Sequence, residues 1–69
     1  MSDYLIERAI ELLQDDKLLA DAREGARVNN SAVGCLLSLE YGAPRWAAER
    51  AVRAALRRID DANGVSEKD

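Results

Sequence analysis

Between Arg27 and Glu40 the chain runs V-N-N-S-A-V-G-C-L-L-S-L, twelve residues without a charged side chain, in a sequence otherwise dense in Asp, Glu, Lys and Arg. A helix that crosses a bilayer needs about 20 apolar residues. The stretch therefore reads as the buried helix of a globule. Asn30 or Ser31 is placed to cap it, because a side-chain oxygen there accepts from the free amides of the first turn. Ala32, Val33, Leu36, Leu37 and Leu39 follow the i, i+3, i+4, i+7 pattern of one apolar face, with Leu36 expected at the centre of the core. Gly34 and Ser38, with Tyr41, fall on the other side. Two small residues four apart let another backbone approach there, and that back face is a candidate dimer contact. Asn29-Asn30-Ser31 also fits the N-glycosylation sequon, but capping is the stronger reading.

How such a helix is stabilised follows from length. A chain of 69 residues buries only about 60% of its unfolded surface, so stability is marginal without help. The usual helpers are disulfides, metals or oligomerisation. Cys35 is the single cysteine and histidine is absent, which excludes an intrachain disulfide and a zinc site and suggests a reducing compartment. Oligomerisation or binding to a partner remains, and a homodimer is one expectation. No basic segment followed by an apolar run opens the sequence, so a cytoplasmic address is expected. Alanine is frequent, phenylalanine is absent, and β-branched residues are sparse. These proportions favour helices over sheet.

Helix boundaries follow from caps and periodicity. Ser2 or Asp3 can cap a first helix with Leu5, Ile6, Ala9, Ile10, Leu12 and Leu13 inward. A second stripe, Leu18, Leu19, Ala22, Gly25 and Ala26, lies well over a quarter turn from the first on a continuous helix. A break near Gln14–Asp16, with Asp15 or Asp16 as cap, resolves the conflict. Gly25 and Asn29-Asn30 close the second helix. Gly42 ends the third, and Pro44 suits the start of a fourth running to about Asp61, with Ala48, Ala51, Val52, Ala55, Leu56 and Ile59 inward. The expected fold is all-α: a compact orthogonal bundle of four short helices around a central apolar helix, over residues 1–63, with a frayed acidic tail at 64–69.

Charge is unevenly placed. The net charge is −3, yet residues 45–58 carry five arginines against one glutamate. Trp46, Arg50, Arg53 and Arg57 are spaced 4, 3 and 4 apart, one stripe nearly opposite the alanine face. Trp and Arg are the residues most enriched at binding hot spots. With Arg45 and Glu49 beside them, these residues form the candidate partner-binding surface, and on that reading fold stability is not expected to need the stripe; the plainer alternative is that Trp46 covers the end of the first or second helix and the arginines are a solvated face. Glu49 and Arg53 have the spacing and order of a favourable i, i+4 pair.

The leading expectation is a small non-enzymatic cytoplasmic protein, a regulator, inhibitor or adaptor of the kind phage and mobile elements encode, that binds a protein partner. The runner-up is DNA binding. Leu37, Ser38, Tyr41, Gly42, Ala43, Ala48 and Ala51 resemble the apolar, small and turn positions of a helix-turn-helix. That resemblance implies a recognition helix at 44–61 with Arg45, Glu49, Arg50 and Arg53 toward the major groove. Against it stand the acidic balance of the chain and the lack of Asn, Gln, Ser and Thr at the exposed positions. Tyr41 to Arg45, with Ala48 and Ala51, is also similar to the first turn of ubiquitin-associated domains, whose three-helix continuation is not matched. No nucleophile–base pair or phosphate-cradling glycine loop appears. Asp15-Asp16 and Asp60-Asp61 are neighbours that point about 100° apart on a helix, unlike a shared carboxylate site. No catalytic residue, metal, cofactor, small-molecule substrate or membrane contact is expected.

Overall fold

A computed structural model describes residues 3–63 as an all-α bundle of four helices. Helix α1 spans Asp3–Leu12, α2 Asp16–Gly25, α3 Ala32–Tyr41 and α4 Arg45–Ala62. A short 3-10 turn, Ala26–Val28, follows α2 directly. Ser2 and the expected tail at 64–69 lie outside the described residues. None of the described helices is long and apolar enough to cross a membrane.

The break after α1 is made by Asp15. Its carboxylate accepts from the amides of Lys17 (2.9 Å) and Leu18 (3.1 Å), which starts α2 on a new axis. At the far end of α2, the Asn30 amide donates to the Gly25 carbonyl at 2.8 Å. A Cβ on Gly25 would lie 2.3 Å from the Asn30 carbonyl oxygen, so only glycine admits this return of the chain. Asn29 makes the turn with φ 54°, a left-handed conformation that Asn tolerates better than most residues. Gly42 ends α3 with φ 64°. The Ser38 hydroxyl braces the following turn by donating to the Ala43 carbonyl at 2.7 Å.

The core is Leu5, Ile6, Ala9 and Leu13 of the α1 segment, Ala22 and Ala26, Val33 and Leu37 of α3, and Ala48, Ala51, Val52 and Ala55 of α4. Half of these twelve are alanines, so the helices can approach closely without large aromatic filler. Helix α3 packs substantially against each of the other three helices. Two bidentate surface pairs tie neighbours together. Arg8 of α1 grips Glu40 at the end of α3, with both bonds at 3.1 Å. Arg23 of α2 grips Asp60 of α4 at 3.2 and 2.8 Å. These contacts hold the Glu40 and Asp60 carboxyls below the usual carboxylate range, chiefly through the donated hydrogen bonds, and raise both guanidiniums.

The inward face of α3 is rotated from the one its apolar spacing suggests. Val33, Gly34 and Leu37 are buried, whereas Ala32, Leu36 and Leu39 are exposed. Leu36 therefore stands at the rim and not at the centre of the core. Gly34 belongs to the packed face, so it is no dimer surface. The reason lies in α4: a buried carboxylate, that of Glu49, occupies the space against α3 that only a glycine leaves open.

Candidate functional site: the outer face of helix α4

Helix α3 has no acidic residue in its first turn. The partial positive charge of a helix N-terminus attracts carboxylates, and here they arrive from other helices. Asp21 of α2 accepts from the Ala32 amide at 2.8 Å. Glu49 of α4 accepts from the Ser31 amide (2.9 Å) and the Ser31 hydroxyl (2.7 Å). The same hydroxyl accepts from the Gly34 amide at 3.0 Å, completing the cap. Arg45, one turn before Glu49, donates from Nε to the carboxylate at 3.0 Å and from a terminal nitrogen to the Ser31 carbonyl at 3.2 Å. Glu49 is wholly buried, and its charge is matched by this guanidinium and by the α3 terminus.

Two residues of the expected binding surface thus turn inward. Glu49 is not on the surface, and Arg45 is half committed to it. The expected Glu49–Arg53 pair is not formed; Glu49 pairs with Arg45, four residues earlier. Arg53 is committed elsewhere. Its guanidinium donates to the Ala26 carbonyl and to the Asn29 side-chain oxygen, both at 2.8 Å. It thereby closes the 3-10 turn onto α4, so its removal is expected to cost stability.

The remaining three members stay together on the outside. Trp46 is 59% exposed, and Arg50 and Arg57 are exposed on the same side of α4. Neither arginine forms an ion pair among the described residues. Arg50, Arg53, Ala54 and Arg57 line a shallow open depression of about 320 Å³. Three of its four lining residues are arginines, and Arg53 is held there by its bonds to the 3-10 turn and Asn29. Such a surface attracts carboxylates and phosphates through charge-assisted bonds. Among the described residues no cluster of three or more His, Cys, Asp or Glu is arranged to hold a metal ion.

The inward turn of Glu49 had a sequence signal. Residues 45, 49, 52, 56 and 59 follow helical spacing along the edge of the alanine face, and Gly34 and Ser31 supply the room and the donors. That reading requires pairing one acid with one glycine across 15 positions, which helical periodicity alone does not do.

Comparisons of the chain with protein-family models, curated proteins and solved structures find no match.

Proposed function

We propose that this chain is a small binding protein, a regulator, inhibitor or adaptor, that docks Trp46, Arg50 and Arg57 of α4 onto an acidic surface of a protein partner. The observation that carries this is a large exposed indole beside two arginines without an ion-pair partner among the described residues. Leaving Trp46 in water is unfavourable for an amphipathic ring that gains by burial. Arginine and tryptophan together are the composition of interface hot spots. Among the described residues none of the three side chains forms a hydrogen bond or ion pair within the fold, unlike Arg45, Glu49 and Arg53 beside them.

DNA binding through a helix-turn-helix is less well supported. Of the four side chains that reading assigns to the groove, Glu49 is buried, Arg45 and Arg53 are engaged within the fold, and only Arg50 is free. A cytoplasmic setting suits a chain with a single exposed thiol.

The test is capture from a host extract with the wild-type chain, Trp46→Ala and the double variant Arg50→Glu, Arg57→Glu. A protein retained by the wild type and lost by both variants, with unchanged circular dichroism in all three, supports the reading. Capture undiminished in both variants overturns it. Binding to duplex DNA whose affinity falls steeply with salt would favour the runner-up instead.

A further inference from the structure

Arg50, Arg53 and Arg57 stand at i, i+3 and i+7 on α4 and line one open depression of about 320 Å³ together with Ala54. Like charges three and four residues apart on a helix repel. None of the three has an ion-pair partner among the described residues. The acids of α4 do not relieve them. Glu49 is buried and bonded to Arg45, Asp60 is held by Arg23, and Asp61, four residues after Arg57, is not paired with it. Arg53 is also fixed in place. Its two short bonds, to the Ala26 carbonyl and the Asn29 side chain, both leave from Nη1. The Nε–Nη2 edge, a two-donor fork that matches paired oxygens, has no partner among the described residues.

We infer, on the reading that α4 docks a protein partner, that this depression receives the phosphoryl group of a phosphorylated side chain on that partner. Arg53 is the fixed fork, and Arg50 and Arg57 close on the remaining acceptor positions. Charge and oxygen count select the ligand. A carboxylate brings one negative charge and two oxygens, so it fills one fork and leaves two guanidiniums opposed to each other. A phosphate monoester brings about −1.5 to −2 charges and three acceptor oxygens, enough for the fork and for both flanking arginines. Arginine clusters are a recurring means of recognising phosphorylated segments. The extent of the cluster selects a single phosphoryl group over a polynucleotide. From Arg50 to Arg57 the helix rises only about 10 Å. Beyond it lie Asp60 and Asp61 on one side and Arg45, engaged by Glu49, on the other. A polynucleotide continues as a row of phosphates, which a chain of net charge −3 repels as a whole. Trp46, one turn before Arg50 and 59% exposed, then anchors an apolar side chain of the same partner segment.

Nitrogen-edited NMR of the arginine Nε–H signals of the full chain, at fixed ionic strength, tests this with capped phosphoserine, capped glutamate and a single-stranded oligothymidine. Phosphoserine should shift the Arg50, Arg53 and Arg57 signals together and saturably, and bind about tenfold or more tighter than glutamate. The double variant Arg50→Gln, Arg57→Gln should weaken phosphoserine about tenfold or more. Arg53→Lys, which keeps the charge and lacks the fork, should weaken it as well. Arg58→Gln, which removes a charge outside the depression, should bind as the wild type does. Circular dichroism establishes that each variant is folded, and the double variant carries the test if Arg53→Lys is not. No saturable shift with phosphoserine, equal affinity for glutamate, or undiminished binding by the double variant overturns the inference. Oligothymidine binding tighter per phosphate than phosphoserine overturns it in favour of nucleic acid. In the host-extract capture, the partner should be lost when the extract is treated with phosphatase. A partner lost with Trp46→Ala but retained after dephosphorylation overturns the phosphoryl assignment and leaves the docking face standing.

Discussion

Gly34→Ala is expected to destabilise this protein, although in an exposed helix interior the same change gains about 1 kcal/mol. A Cβ built on Gly34 would lie 2.1 Å from Oε2 and 2.3 Å from Cδ of Glu49. The carboxylate must move, and it is held by the Ser31 amide, the Ser31 hydroxyl and Arg45. A hydrogen bond to a charged group contributes about 1.5–3 kcal/mol net. Losing one or two of these while gaining the alanine propensity leaves a net loss of about 0.5–5 kcal/mol. Total stability for a chain of this length is roughly 3–10 kcal/mol, so the effect is large. The decisive measurement is a double-mutant cycle by urea denaturation followed at the helical circular dichroism band. In the Glu49→Ala background the obstruction is gone, and Gly34→Ala should change sign, stabilising by up to about 1 kcal/mol. If Gly34→Ala stabilises the wild-type chain, Glu49 leaves its position freely and the clamp described here is not a structural constraint.

Leu37→Ala should lower stability by about 2–5 kcal/mol, whereas Leu36→Ala, at a 38% exposed position, should lower it much less; comparable urea midpoints for the two would refute the rotated α3 face. Arg53→Glu should destabilise by about 1–3 kcal/mol through loss of its bonds to Ala26 and Asn29, while Arg50→Glu should stay within about 0.5 kcal/mol of wild type. A thermal melt separates the two. For Asp60 the folded-state carboxyl is held below the ordinary range by Arg23, so its contribution is present above the unfolded pKa and lost as pH falls through the folded one. The difference in urea midpoint between wild type and Asp60→Asn should therefore shrink on acidification; a difference that persists or grows at low pH contradicts the pairing.

The architecture was legible because each boundary carries its own local chemistry. Asp15, Ser31, Gly42 and Pro44 punctuate the chain where their side chains or backbone preferences require it, and alanine periodicity identifies the inner face of α4. The rotation of α3 was not legible from apolar spacing, because that helix is apolar nearly all round. What fixes its orientation is polar: a carboxylate 15 residues downstream that needs a helix terminus and a missing side chain. The same long-range pairing removed Glu49 and Arg45 from the expected binding stripe. Arg53 was lost to it for a similar reason, since no pattern along α4 shows that the carbonyl of Ala26 lies within its reach. Trp46, Arg50 and Arg57 needed only the helical wheel to be placed outside.

The α3–α4 connection is fastened twice, by Ser31 at the start of α3 to Arg45 and Glu49 in the first turns of α4, and by Ser38 to Ala43 at the turn. Both fastenings span 18 residues or fewer, so the loops they close are short and their closure entropy is low. The hairpin is thus the segment able to organise early during folding, before α1 and α2 find their places. Its amides should behave as one cooperative unit in hydrogen exchange. On that order the N-terminal half is expected to dock last, onto Val33, Leu37 and Val52.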